Sequence, residues 1–238
     1  QVDNLGKKIA KKIKCEYTTN RKKVLNSDID AVILSTPPDL FLKYGSEILR
    51  AKKHLLIEKP LGLNSKEAKI LTNLAKKNKL FLKTGFNLRF DDGLLFVKKL
   101  LNKKIIGKVY FFKIDYVNGS VKTNKNKVGA LKDIGIHSIN LFKYFINKDF
   151  NVVSNSLQNN EYFKDDNGFL ILKSNSVIAN IHYSFVRWEN RFFLEISGSK
   201  GSIVVQSLPK WREQQVILSK RVYPSGVPIK KVWKFKKE

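Results

Sequence analysis

The 238-residue, 27.4 kDa chain is 42% apolar and 28% charged, with a formal net charge of +26. That apolar content is too high for a disordered chain, and no apolar run approaches the roughly 18 residues of a membrane-spanning helix. The single cysteine, Cys15, excludes a disulfide framework and a multi-cysteine zinc site.

Taken in chain order, residues 5–14, 40–51 and 64–78 are predicted helices, with apolar positions recurring every three or four residues and lysines between them. Asn64 and Glu67 form a cap-and-glutamate start for the third. Between the helices lie short apolar runs: Ala31-Val32-Ile33-Leu34, His54-Leu55-Leu56-Ile57 and Leu80-Phe81-Leu82. Runs of this length, apolar on both faces and alternating with helices, predict buried parallel strands, so residues 1–85 read as an α/β unit. From Gly107 the pattern changes. Alternation over Val109–Val117, Val177–Val186 and Arg191–Ile196, then Ile203–Val205 and Gln214–Ser219, predicts a mainly antiparallel sheet, with Gly198 and Gly201 at a turn. One helix, near 131–146, interrupts it.

The charge supports two readings. A basic surface attracts nucleic acid. Yet 39 lysines stand against 7 arginines, beside 21 asparagines, 21 isoleucines and 7 alanines, the profile of an AT-rich genome. The lysines are scattered, and no cluster of bidentate arginines with stacking aromatics is present, so specific nucleic-acid binding is not expected.

Four segments could carry chemistry. In the interrupting helix, Asp133, His137, Asn140 and Tyr144 share one stripe at 100° per residue, opposite Ile134, Leu141, Phe142 and Phe145. An aspartate one turn before a histidine can hold its tautomer and make it a base, although an exposed polar face with an incidental histidine gives the same pattern. Glu58-Lys59-Pro60 follows the second apolar run, where the proline restricts Lys59 to extended backbone. Ser35-Thr36-Pro37-Pro38 closes the first run and Gly85-Phe86-Asn87-Leu88-Arg89-Phe90 the third. Three polar strand ends on one edge of a parallel sheet predict a ligand crevice. His54 and His182 read as structural, and no metal site is visible.

These motifs, in this order, resemble the glucose–fructose oxidoreductase/inositol dehydrogenase (Gfo/Idh/MocA) family: Thr36-Pro37-Pro38-Asp39, Glu58-Lys59-Pro60-Leu61, Gly85-Phe86-Asn87-x-Arg89-Phe90 and Asp133-x-Gly135-x-His137-Ser138-x-Asn140. The resemblance implies a partial Rossmann dinucleotide-binding domain over 1–86, then an α+β substrate and oligomerisation domain with a large open sheet over 87–238. It implies Lys59, His137 and Asp133 as catalytic residues. Asp3, Ser35, Thr36, Pro37, Glu58 and Lys59 would contact the cofactor, and Asn87, Arg89 and Asn140 the substrate. Asp3 would end a Rossmann strand and hydrogen-bond a ribose 2′-hydroxyl, which favours NAD over NADP. The chain has no G-x-G-x-x-G, so the family's first strand, glycine turn and first helix would precede residue 1, and its final helices would follow Glu238. Phe41 stands where a histidine is frequent, and Asn140 where an aspartate is.

The implied activity is hydride transfer between NAD(P) and a hydroxyl carbon of a sugar, cyclitol or nucleotide-linked sugar. His137 would take the hydroxyl proton, Asp133 would stabilise the imidazolium, and Lys59 would hold the oxygen. A non-catalytic binding or assembly subunit and a basic nucleic-acid binder are the alternatives. No signal peptide is recognisable, which together with one cysteine predicts a cytoplasmic protein. An open sheet face in need of cover predicts a homo-oligomer, a dimer or tetramer.

Overall fold

A computed structural model describes residues 2–120, 128–162 and 164–236. The chain divides into two compact units, 1–85 and 86–238.

The first unit opens on helix α1 (Val2–Ile13) and a short α2 (Arg21–Leu25). Strands β1 (Ala31–Leu34), β2 (His54–Ile57) and β3 (Leu82–Thr84) form a parallel sheet in sequence order, connected by α3 (Phe41–Arg50) and α4 (Ser65–Lys77). Asn64 caps α4 as expected, its Oδ1 accepting from Glu67 N at 3.0 Å while Glu67 reaches back to Leu63 N at 2.8 Å. Leu34, Ile48, Leu49, Leu55, Ile57 and Leu71 build the core between the sheet and α3 and α4. Each full burial of this kind contributes about 1.5–3 kcal/mol.

Two expectations need correction. The strands were expected to be buried on both faces, but Ile33 is 73% and Leu56 41% exposed, so the apolar runs are covered on the helix side alone. The third strand begins at Leu82 rather than Leu80. Leu80 N donates to Ala75 O at the end of α4, and Phe81, 71% exposed, accepts from Leu55 N with its carbonyl while its own N–H donates to His54 Nδ1 at 3.0 Å rather than to a strand.

The second unit carries α5 (Asp92–Asn102), β4 (Val109–Val117), a π-helical turn (Leu131–Gly135), α6 (Ile136–Ile146) and seven further strands. These are β5 (Asn151–Gln158), β6 (Asn167–Ser174), β7 (Val177–Ser184), β8 (Arg191–Gly198), β9 (Gly201–Gln206), β10 (Gln214–Val222) and β11 (Gly226–Phe235). The sheet order is β11-β10-β9-β8-β4-β7-β6-β5, with β4 and β7 parallel and every other pair antiparallel. Alternation sets its faces. Phe112, Ile114 and Tyr116 of β4 point into the core with Ile181, Tyr183, Leu194 and Ile196, under α6, while Tyr110, Phe111, Phe169 and Ile178 lie on the open face. Gly198 pairs with Gly201 at the expected β8–β9 turn, where Gly201 adopts φ +151°. Among the described residues, no helix is long and apolar enough to cross a membrane.

Candidate functional site

In the first unit, the parallel register brings the carboxyl ends of β1, β2 and β3 to one edge. β1 gives way to Ser35-Thr36-Pro37, and a 3₁₀ turn (Pro38–Leu40) starts at once, with Leu40 N donating to Pro37 O at 3.0 Å. Ser35 and Pro37 are exposed. Thr36 is half-buried, and its Oγ1 is buried with no hydrogen-bond partner. Such an orphan has a desolvation cost that an incoming polar ligand would relieve.

Glu58 extends the β1–β2 pairing, its N–H donating to Leu34 O at 3.0 Å. Its carboxylate lies along the end of β3, where a Cβ on Gly85 would stand 3.3 Å from Oε2. Lys59 follows, half-buried, with its N–H donating to Glu58 Oε2 at 3.3 Å, and its bond to buried Pro60 is cis. Ser35, Thr36, Pro37, Glu58 and Lys59 therefore share one edge, as the sequence predicts. Phe41 is fully buried in the core, so this position is packing rather than contact.

Asp3 departs from expectation. It does not end a strand but sits in the first turn of α1, where a negative charge suits the helix N-terminus. Its carboxylate accepts from Tyr17 OH at 2.7 Å and pairs with Lys7 at 2.8 Å. Lys7 first, then Tyr17, hold its pKa below the ordinary aspartate value.

In the second unit, the predicted helix near 131–146 is two structures. Leu131–Gly135 is a π turn, and α6 begins at Ile136. A π turn closes i to i+5, so the 100° wheel fails across it and Asp133 is not one α-turn before His137. Gly135 is required here, because a Cβ would stand 2.9 Å from Tyr183 Cγ. Two aspartates fix the approach. Asp165 accepts from Leu131 N at 2.7 Å at the start of the turn. Asp166, fully buried, accepts from the N–H groups of Asn160, Glu161 and Tyr162 at 2.7, 2.6 and 3.1 Å, folding the loop that carries Tyr162. Burial, then the charge of Asp133, push the Tyr162 hydroxyl upward.

His137 is 6% exposed, which excludes the exposed polar face. Its ring meets the edge of Phe86 at 6.1 Å and the ring of Tyr116 at 5.9 Å between centroids. Lys210, from the β9–β10 loop, donates from Nζ to Tyr116 OH at 2.9 Å. One turn beyond His137, Asn140 Oδ1 accepts from Arg89 Nε at 2.8 Å, and the same guanidinium lies 5.3 Å from the Tyr144 centroid. Lys98 donates to Tyr144 O and Phe145 O at 2.6 and 3.2 Å, satisfying carbonyls at the end of α6.

The expected residues His137, Arg89 and Asn140 lie on α6 and against it, Asp133 lies in the turn before it with its charge felt at Tyr162 and Lys210, and Asn87 stays exposed at the start of its 3₁₀ turn. Sequence reasoning missed Tyr116, Lys210 and Trp211. Tyr116 carried a signal, since it shares the inward parity of Phe112 and Ile114 on β4. Lys210 and Trp211 carried none, because their loop reaches Tyr116 across 94 residues of chain.

Comparison with known proteins gives two family matches. Residues 3–86 match the domain described as "Oxidoreductase family, NAD-binding Rossmann fold", and residues 98–233 match "Oxidoreductase family, C-terminal alpha/beta domain". Oxidoreductase P35 of Formosa agariphila is 28% identical over 201 residues, covering 79% of this chain and 63% of its own. The dTDP-3,4-didehydro-2,6-dideoxy-alpha-D-glucose 3-reductase of Saccharopolyspora spinosa is 27% identical over 209 residues, covering 84% and 63%. The chain therefore spans about 63% of the length of these relatives. Among solved structures, the 3-ketoreductase KijD10 of Actinomadura kijaniata, in complex with TDP-benzene and NADP, superimposes with a TM-score of 0.79 at 21% identity, covering 98% of this chain and 73% of that one.

Proposed function

The chain belongs to the Gfo/Idh/MocA oxidoreductase family, and from that premise we propose that it serves an NAD(P)-dependent dehydrogenase or reductase acting on a sugar, cyclitol or nucleotide-linked sugar. The observation that carries the reading is His137, a buried imidazole enclosed by Phe86 and Tyr116 on a helix that a π turn introduces. Such a turn is frequent at functional sites.

The residues of the first unit fit a dinucleotide. Thr36 Oγ1 is an orphaned buried hydroxyl at a strand end, the exposed Ser35 lies next to it, and Glu58 offers a carboxylate beside the glycine end of β3. Ser35, Thr36, Pro37, Glu58 and Lys59 would hold the cofactor, which supplies a hydride acceptor or donor when bound. Asp3 is left out of this set, because its carboxylate is engaged by Lys7 and Tyr17. NAD is the cofactor of the family domain, with NADP open to it because Asp3 is engaged by Lys7 and Tyr17 and is not an acid that selects against a 2′-phosphate.

The second unit supplies proton chemistry. In the oxidation direction His137 accepts the substrate hydroxyl proton, and the negative charge of Asp133 stabilises the imidazolium. Arg89 and Asn140 orient substrate hydroxyls, each already held by the other. Lys59 carries the remaining role, a hydrogen bond to the reacting oxygen, on the strength of the Glu58-Lys59-Pro60 motif. The reading also includes self-association through the open sheet face, where Tyr110, Phe111, Phe169 and Ile178 are exposed, and a cytoplasmic setting that keeps the exposed Cys15 reduced. The test is His137→Ala. A positioned base contributes about 10²–10⁴-fold, so turnover falls by that factor while NADH affinity holds. Unchanged turnover on a sugar or cyclitol that the wild type oxidises refutes the assignment.

A further inference from the structure

The cations around His137 are not equivalent. Arg89 is committed to Asn140 and stacked on Tyr144, and Lys98 caps the carbonyls at the end of α6. Lys210 is committed to neither a carboxylate nor a helix end. Its ammonium donates to Tyr116 OH at 2.9 Å, and lies 4.7 Å from the Trp211 ring centroid and 5.4 Å from that of Tyr116. Among the described residues, no carboxylate lies within 4 Å of it. The closing turn of its loop is set by Trp211 N and Arg212 N, both donating to Leu208 O, at 2.9 and 3.2 Å.

An ammonium has three donors, and the tyrosine takes one. Lys210 is exposed as a residue while its ammonium is partly buried, which leaves the other two donors for a ligand. Burial of the ammonium lowers its pKa, while Asp133 opposes the shift from longer range. A partly desolvated cation beside aromatic rings is a stronger partner for an anion than one in bulk water. The ring of Tyr116 links this cation to the acid/base group, with His137 on the ring and Lys210 on its hydroxyl. Trp211 packs against the same tyrosine at 5.7 Å between centroids, so an apolar ring face borders the cation.

We propose that Lys210, held against Tyr116 and Trp211, determines specificity by receiving an acidic group, a carboxylate or phosphoryl group, on a sugar-like substrate whose reacting hydroxyl is served by His137. The proposal rests on the reading of the chain as a sugar-type dehydrogenase, and names the charge of its substrate.

The experiment is a calorimetric titration of the protein with glucose, glucuronate and glucose 6-phosphate, with NADH titrated separately. A charge-assisted hydrogen bond in a partly dry site predicts that an acidic probe binds about tenfold or more tighter than glucose. Glucuronate leading identifies a carboxylate, and glucose 6-phosphate a phosphoryl group. Lys210→Gln abolishes the preference and Lys210→Arg retains most of it, with near-UV circular dichroism confirming that both variants are folded. No preference in the wild type, or a preference that survives in Lys210→Gln, overturns the proposal. NADH separates the two failures. Normal NADH binding without an acidic preference refutes the role of Lys210 alone, whereas an acidic preference lost in Lys210→Gln without NADH binding refutes the dehydrogenase reading alone.

Discussion

The two candidate sites are built in opposite ways. In the first unit the polar residues sit at strand ends, mostly exposed, and Thr36 Oγ1 is left without a partner. In the second, His137 is enclosed, the turn before it is held by Asp165, and Asp166 organises the neighbouring loop. One edge waits for a ligand to complete its hydrogen bonds. The other has its imidazole fixed by packing in advance, which is what the proposed acid/base role needs. On the proposed reading, the difference teaches that binding and proton transfer impose separate demands on one chain: unsatisfied polar groups for the first, over-determined geometry for the second.

The largest expected effect comes from His137→Ala, where the loss of about 10²–10⁴-fold in turnover should leave the first unit's ligand affinity intact. Next is Gly135→Ala. A Cβ there meets the Tyr183 ring, and overpacking costs about 1–3 kcal/mol. Chemical denaturation should show that loss, together with reduced turnover, because the displaced turn carries Asp133. An Ala variant as stable and as active as wild type would mean that the turn is not constrained by Tyr183.

How much of this was legible in the sequence depends on where the physical cause lay. β1 and β2 were found to the residue, and α3 within one residue at each end, because their signal is local apolar spacing. The strands β5, β6 and β11 were missed, β6 although it alternates, with Leu170 and Leu172 buried in the core. β5 is exposed along its whole length and β11 nearly so, with Pro228, three lysines and only Trp233 and Phe235 partly covered in place of an inward apolar row. Without a core to face, an edge strand has no reason to alternate. α5 was missed as well, although Asp91 caps it by accepting from Leu94 N at 3.0 Å. In the C-terminal site, His137, Asn140 and Arg89 were readable from motif order. The π turn was not, since the need for Gly135 arises from Tyr183, 48 positions later in the numbering, and Lys210 reaches Tyr116 only through the sheet.

A smaller effect sharpens the contrast from the other side. Thr36→Val removes a hydroxyl that the fold does not use. Its stability should hold, while NADH affinity falls by the value of one hydrogen bond, about 0.5–1.5 kcal/mol. Lost stability with unchanged affinity would show the hydroxyl to be structural.

The smallest effect is a pH dependence outside both sites. Burial raises the pKa of Asp91 above its ordinary value, against the hydrogen bonds from Leu94 N and Gln214. The fold therefore favours the protonated carboxyl. That contribution is full below the unfolded-state pKa, about 3.9, and is lost as pH rises through the folded value. Asp91→Asn keeps an acceptor for Leu94 N and does not titrate. The stability of wild type relative to this variant should therefore fall as pH rises above about 4. A difference that stays flat as pH rises from about 4 would show that the carboxyl is not perturbed.

The division of labour between the two sites is tested most directly by titrating NADH into wild type, His137→Ala and Thr36→Val, reading nicotinamide fluorescence. The account predicts binding to wild type, the same affinity in His137→Ala, and a weaker affinity in Thr36→Val. Failure of wild type to bind NADH, or equal loss in both variants, would contradict it.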